Sequence, residues 1–210
     1  MASMKDRRLR LGLLLLALLL TLASCGPRAL SPQAYRNLVI ETLEGGEPEG
    51  ETPPLPGLIP AIKKLFGSLY CAESSCKLPG EMQYLSDVAD FEGTVVEEQR
   101  GRICGKRVHP PQEMEADHGR VCEMLEGIRR DIDAMKLTAT MAARLLAQSM
   151  DDPETLERVS QSYSEKIMER KDTIVERLRR LREIAWLAPL FAGMETEIPE
   201  LRTETEQEGS

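Results

Sequence analysis

Two cysteines and two histidines lie close together in the middle of the chain and are the residues best suited to chemistry. They are Cys104, His109, His118 and Cys122. Thiolates and imidazoles are the ligands that zinc prefers in proteins. Their spacing matches no common zinc module, and an exported protein would favour disulfides at these cysteines. The four residues are therefore weak zinc candidates, and the sequence predicts no metal.

Other arrangements of reactive residues are scarce. Glu115 and His118 have the Glu-x-x-His spacing of helical di-iron proteins. Such sites need a second copy, and the only other histidine, His109, has Lys106 three residues before it. The sequence contains no Gly-x-Ser-x-Gly, His-Glu-x-x-His or phosphate-binding glycine loop. We therefore predict a protein that is not an enzyme and holds no cofactor, with a metal-binding or redox protein as the less favoured alternative.

Four of the five cysteines form an even set that predicts two disulfides in an oxidising compartment. These are Cys71, Cys76, Cys104 and Cys122, and they allow three pairings between which the sequence does not choose. Four residues separate Cys71 from Cys76, rather than the two of a redox motif, which favours a structural bridge.

The first 24 residues have the organisation of a secretory signal peptide. Lys5, Arg7, Arg8 and Arg10 precede an apolar core from Leu11 to Leu22. This core is shorter than the roughly 20 residues of a membrane-spanning helix. We therefore predict that residues 1–24 are removed during export.

The end of this segment, Leu22-Ala23-Ser24-Cys25, resembles the lipobox of bacterial lipoproteins. The resemblance covers residues 1–26 and implies cleavage before Cys25, diacylglyceryl modification of its thiol and acylation of its amino group by a fatty acid such as palmitate. Several acyl chains give stable membrane anchoring where one is marginal. Gly26 follows instead of an inner-membrane-retaining aspartate, which favours the outer membrane. The alternative is an ordinary signal peptide and a freely secreted protein.

Charge and composition limit the partners of the mature chain. The full chain has a net charge of −8, and residues 1–24 carry a net +3, which leaves −11 for the rest. So acidic a protein is a poor general binder of nucleic acid. Aromatic residues make up 4% and charged residues 30% of the sequence, a balance typical of long solvated helices.

The mature chain divides into three predicted regions. Residues 25–57 form a lipid-anchored N-terminus and a flexible linker, in which 31–43 makes at most a short helix and 44–57 is a Gly, Pro and Glu spacer. Residues 58–192 form the helical domain. Residues 193–210 form a disordered acidic tail.

The first half of the domain contains short predicted helices. Residues 58–70 form an amphipathic helix that packs on the core or, alternatively, lies on a membrane surface. Residues 81–91 form a second short helix, and 92–111 are mostly loop because they contain three glycines and a Pro-Pro pair, with a brief extended piece at Val95 and Val96.

The second half predicts a long antiparallel hairpin. From Met114 to Leu146, residues such as Leu125 and Ile132 recur at alternating steps of four and three, which is a heptad seam. Asp152 and Pro153 stop this helix, which spans about 112–150, and begin a second helix that runs to about Ala188. The predicted fold is all-α: a coiled-coil-like hairpin with shorter helices packed on it, stapled by disulfides.

Two surface features are candidates for binding a partner. Arg177, Arg179, Arg180 and Arg182 are predicted on the outer face of the second helix with few acids nearby, and such a run binds acidic groups or forms a solvated face. Trp186 lies in the most apolar piece of the mature chain, 184–192, which either docks near the cysteines or binds a partner.

Together these features predict a non-catalytic lipoprotein of the cell envelope. It would be anchored to the membrane through Cys25 and would present its helices to another envelope protein. The alternative is a freely secreted helical ligand or effector, cytokine-like in architecture and without the anchor.

Overall fold

The computed structural model describes residues 29–45, 56–191 and 201, and the signal segment and Cys25 lie outside them. These residues contain helices and no strand, apart from one isolated bridge between Gly45 and Pro56. This confirms the predicted all-α class. The helices are α1 (Pro32–Glu44), α2 (Leu58–Gly67), α3 (Tyr70–Glu73), α4 (Pro79–Cys104), α5 (Glu115–Gln148), α6 (Pro153–Arg182) and α7 (Ala188–Phe191), with a 3₁₀ turn at Gln112–Met114.

Helices α5 and α6 form the predicted antiparallel hairpin. The Asp152 carboxylate caps α6 by accepting hydrogen bonds from the backbone N–H groups of Glu154 and Thr155, both at 3.2 Å. The heptad residues of α5 face inward, and all are buried except His118, which is half-buried. The apolar seam therefore determines the central packing of the fold.

Helix α4 corrects the prediction for residues 81–104. One helix of 26 residues replaces the short helix, the extended piece at Val95 and Val96 and the loop up to residue 104, whereas residues 105–111 are non-helical as predicted. Gly93 is needed where α4 approaches α5 closely, because a Cβ atom there would lie 3.2 Å from Ile132 Cγ2. The contact with α5 offsets the low helix propensity of glycine. The hairpin is thus part of a bundle of three long helices, with α5 between α4 and α6.

Helix α1 places the start of the folded domain before residue 58. Its side chains Tyr35, Val39 and Leu43 are completely buried. The bridge between Gly45 and Pro56 brings together the two ends of the connection to α2. The expected spacer is therefore a connection between two packed helices, although residues 46–55 lie outside the described part.

Helix α2 packs on the core, and its apolar face is not available to a membrane. Leu58, Ile62 and Leu65 are completely buried. On its other side, Lys64 Nζ lies 2.8 Å from the carboxylate of the buried Glu92 on α4. Of the two alternatives predicted for residues 58–70, packing on the core and lying on a membrane surface, the structure has the first.

The C-terminal part differs from the prediction in two ways. Helix α6 ends at Arg182 instead of about Ala188, so Ala185 is exposed rather than inward, and Leu187 and Phe191 are buried in its place. Leu201 was expected in a disordered tail, yet it is 1% exposed. The rest of 193–210 lies outside the described residues.

Candidate functional site

Two disulfides resolve the pairing that the sequence left open. Cys71 on α3 pairs with Cys76 in the connection to α4, and Cys104 pairs with Cys122. The second bridge joins the end of α4 to the first turns of α5. Each bridge therefore links cysteines that are consecutive in the chain.

The disulfides remove the zinc candidates. Cys104 and Cys122 are bonded to each other and offer no thiolate to a metal. His109 is tied to the start of the fold through its backbone, because its carbonyl accepts a hydrogen bond from Leu30 N–H at 2.9 Å. Within the described ranges, one group of potential ligands converges, Cys71, Cys76 and Glu81, and its cysteines are also bonded to each other.

His118 lies between a tyrosine and the second disulfide. Its Nδ1 atom is 2.9 Å from the hydroxyl oxygen of Tyr35 on α1. The sulfur of Cys122, one helical turn along α5, is 3.7 Å from Nε2 and 3.9 Å from Nδ1. Burial lowers the pKa of His118, so the neutral imidazole is favoured. Glu115 is exposed, and these contacts of His118 do not include it, so the di-iron motif does not assemble.

Tyr35 from the first helix and Trp186 from the segment after α6 also belong to this cluster. The rings of Tyr35 and Trp186 are in edge-to-face contact at 6.2 Å, and Trp186 Nε1–H donates a hydrogen bond to Asp117 Oδ2 at 2.9 Å. Burial, with a smaller contribution from the Asp117 charge, raises the pKa of Tyr35 to about 12. We call Tyr35, Asp117, His118, Trp186 and the Cys104–Cys122 bridge the disulfide cluster.

Trp186 therefore packs on Tyr35 of α1 and Asp117 of α5, at the end of the bundle that holds the Cys104–Cys122 bridge. Tyr35 was not singled out as a functional residue, because a lone tyrosine on a weakly amphipathic helix gives no signal of its own. What places it in the site is the packing of α1 on α2 and α4, which brings its hydroxyl to His118.

The arginine run is extensively paired, contrary to the expectation of few acids nearby. Arg177 Nε lies 2.8 Å from the buried carboxylate of Asp131 on α5, so Arg177 faces the hairpin interface rather than the outside. Arg179 and Arg180 lie 3.9 and 3.1 Å from the Glu176 carboxylate. Arg182 donates a hydrogen bond to the carbonyl of Leu201. Only part of the run is therefore a solvated face.

An exposed apolar surface lies at the other end of the long helices. Leu137 and Met141, one turn apart on α5, are 62% and 48% exposed. Leu78, immediately before α4, is 55% exposed, and Met150 at the hairpin turn is 55% exposed. We call these four residues the distal surface. A shallow groove between α4 and α5 adjoins it, lined by Pro79, Gly80, Gln83, Thr140, Ala143 and Arg144.

Comparisons with known proteins give no family for this chain. No protein-family model, curated protein or solved structure matches it. Across the described ranges, no helix combines the length and the apolar character that crossing a membrane requires.

Proposed function

We propose that this protein is a lipid-anchored envelope protein whose helical domain is a non-catalytic module for binding another envelope protein. The proposal begins with the resemblance of Leu22–Cys25 to a lipobox. A second support is the distance along the bundle between the start of the folded domain and the distal surface. The acidic charge of the mature chain argues against nucleic acid as the partner.

The position of Leu30 carries the proposal. Its N–H donates a hydrogen bond to the carbonyl of His109, which fixes the start of the domain beside the disulfide cluster. Five residues of extended chain, from Cys25 to Leu30, span at most about 18 Å. A lipid on Cys25 would therefore hold the disulfide cluster near the membrane, without the long spacer that the sequence suggested.

The distal surface would then point away from the membrane. Leu137 lies 22 residues from the start of α5, which corresponds to about 33 Å along the helix. The longest dimension of the bundle separates the anchor from the exposed apolar side chains. Exposed apolar residues beside a groove are typical of protein interaction sites. We assign the partner to this surface and not to the arginine run, whose charges are largely paired within the chain.

Mass spectrometry of the mature N-terminus tests the anchor. The expected N-terminus is Cys25 with acyl chains on its thiol and amino group, and Cys25→Ala should prevent both the modification and the cleavage. An unmodified chain that begins at Ser24 or Gly26 would instead support the freely secreted helical ligand.

Photo-crosslinking in intact envelopes tests the distal surface. A photoreactive amino acid at position 137 or 141 should capture the same protein, and the same group at the exposed Glu169 of α6 is the matched control. Leu137→Glu, combined with the crosslinker at 141, should remove the captured product. Equal capture from position 169, or no loss with Leu137→Glu, contradicts the assignment of this surface.

A further inference from the structure

The two disulfides differ in how a reagent from solution can reach them. Cys71 and Cys76 are 6% and 2% exposed, so their bridge is inside the core. Cys104 and Cys122 are both half-buried and lie at the end of the bundle. The second bridge is therefore more accessible to a thiol from solution than the first.

The surroundings of the second bridge also supply a base. We propose that Cys104–Cys122 is a thiol–disulfide exchange site, in which His118 accepts the proton of an incoming thiol and Cys122 is the leaving sulfur. This inference goes beyond the proposed function and does not depend on the lipid anchor. It assigns reactivity to a bridge that the sequence suggested only as a structural staple.

Geometry identifies which sulfur leaves. The His118 ring lies 3.7 Å from Cys122 Sγ. The two residues are four apart on α5, so the helix places their side chains next to each other. A histidinium at this distance stabilises a thiolate, as in reactive cysteines generally. Charge that develops on Cys122 is therefore stabilised as the bond breaks. The attacking sulfur consequently bonds to Cys104.

The exchange step is balanced without an external oxidant. A thiol R–SH gives its proton to the His118 imidazole, and its sulfur forms a new bond to Cys104 Sγ. The Cys104–Cys122 bond breaks, and its electron pair goes to Cys122 Sγ. The product is a mixed disulfide R–S–S–Cys104 beside a Cys122 thiolate, which takes the proton back from His118.

The groups around His118 prepare it for this role. Its lowered pKa keeps the ring neutral and able to accept a proton near neutral pH. Tyr35 remains protonated, and in the tautomer in which Nδ1–H donates to its hydroxyl oxygen, Nε2 is free to accept the proton. Three charged groups lie nearby. Asp117 accepts a hydrogen bond from Trp186 and lies 3.9 Å from Arg120. The other terminal nitrogen of Arg120 lies 3.8 Å from Glu183.

The first experiment compares the two disulfides within the same molecule. The oxidised mature chain is treated with reduced glutathione under native conditions, free cysteines are alkylated at intervals, and mass spectrometry locates them. Cys104–Cys122 should open at least about tenfold faster than Cys71–Cys76, because thiol–disulfide exchange depends on access. Equal rates would overturn the proposal. The adduct should form on Cys104, and glutathione found on Cys122 instead would overturn the leaving-group assignment.

The second experiment isolates His118 through the pH dependence of the rate. Without a base in the site, the rate follows the thiolate fraction of glutathione and rises about tenfold per pH unit between pH 6 and 8. With His118 as the base, the wild-type rate should rise less steeply, and His118→Gln should restore the steep dependence. His109→Gln, which changes the other histidine at this end of the domain, should keep the shallow slope.

Two readouts separate this role from a structural one. If His118→Gln merely loosens the fold, Cys71–Cys76 will open faster as well, and the wild-type slope alone then decides the question. A steep wild-type slope means that no base assists the reaction. A second arm replaces glutathione with a reduced dithiol protein of the thioredoxin type. Faster opening by this protein at equal thiol concentration identifies a protein partner, and faster opening by glutathione identifies a small thiol.

Discussion

Asp131 offers a sharp test of how charge contributes to this fold. The residue is 5% exposed. Its carboxylate lies 2.8 Å from Arg177 Nε and 3.5 Å from Arg170 Nη1, both on α6. Asp131→Asn keeps the size of the side chain and removes its charge. The two guanidinium groups then remain at the hairpin interface without their anionic partner.

The expected loss of stability is about 2 kcal/mol. Breaking a fully buried ion pair by removing one partner costs about 3–5 kcal/mol. The side chains of Arg177 and Arg170 are 27% and 42% exposed, so water can solvate part of their charge and the cost is reduced. For a domain of this size, a loss of about 2 kcal/mol lowers the melting temperature by roughly 4–8 °C.

Urea unfolding followed by circular dichroism, with both disulfides intact, measures this change. Glu176→Gln is the matched control, because it removes an exposed carboxylate that faces Arg179 and Arg180 on the same helix. This variant should lose less than about 0.5 kcal/mol, and its loss should vanish in high salt. The loss from Asp131→Asn should persist in salt. If the two variants lost equal stability, the idea that the hairpin interface screens Asp131 from water would be refuted.

Three further predictions concern the core, a histidine and a tight turn. Ile132→Ala should cost about 2–5 kcal/mol by leaving a cavity in the bundle, whereas Leu137→Ala on the same helix should change stability by less than about 0.5 kcal/mol, both measured by urea unfolding. Burial lowers the pKa of His118 below its ordinary value of 6.5, so the imidazole binds a proton more readily in the unfolded chain than in the folded one. The stability that the neutral imidazole contributes is therefore complete above pH 6.5 and is lost as the pH falls toward the pKa of the folded state. His118→Gln should remove this acid sensitivity in thermal melts at pH 5 to 8, His109→Gln should retain it, and an unchanged profile in both would contradict the assignment. Gly57→Ala should lower the melting temperature, because the added methyl group would overlap backbone atoms at the end of α1, and a variant as stable as the wild type would argue against that close approach.

The hairpin was predictable because its signals are local and repeated. The heptad steps from Met114 to Leu146 and the cap at Asp152 both follow from neighbouring residues. Helix α4 was missed for the opposite reason. Gly93 and Gly101 weaken the local helix signal, and the packing of α4 on α5, which includes the close approach of Gly93 to Ile132, offsets their low helix propensity. Tertiary packing thus overrides propensity there.

The disulfide cluster was predictable only in part. The sequence identified Cys104, His118 and Cys122 as residues capable of chemistry, but it had no means of bringing Tyr35 to them. Arg177 was placed on an outer face because its partner, Asp131, is on another helix. Pairings between elements distant in sequence require the fold itself, and single-chain patterns do not contain them.

The order of the disulfide bonds has a consequence for how the chain acquires its structure. Each bond joins a cysteine to the next one along the described chain, at separations of 5 and 18 residues. If the chain emerges from a translocation channel with its N-terminus first, and if Cys25 is blocked by a lipid as proposed, oxidation in the order of emergence produces the native pairs directly. All four bonded cysteines precede α6, so both bonds can close before α6 emerges. Under these conditions, oxidative maturation would need an oxidant but no isomerase, and the last long helix would dock onto a framework that is already crosslinked.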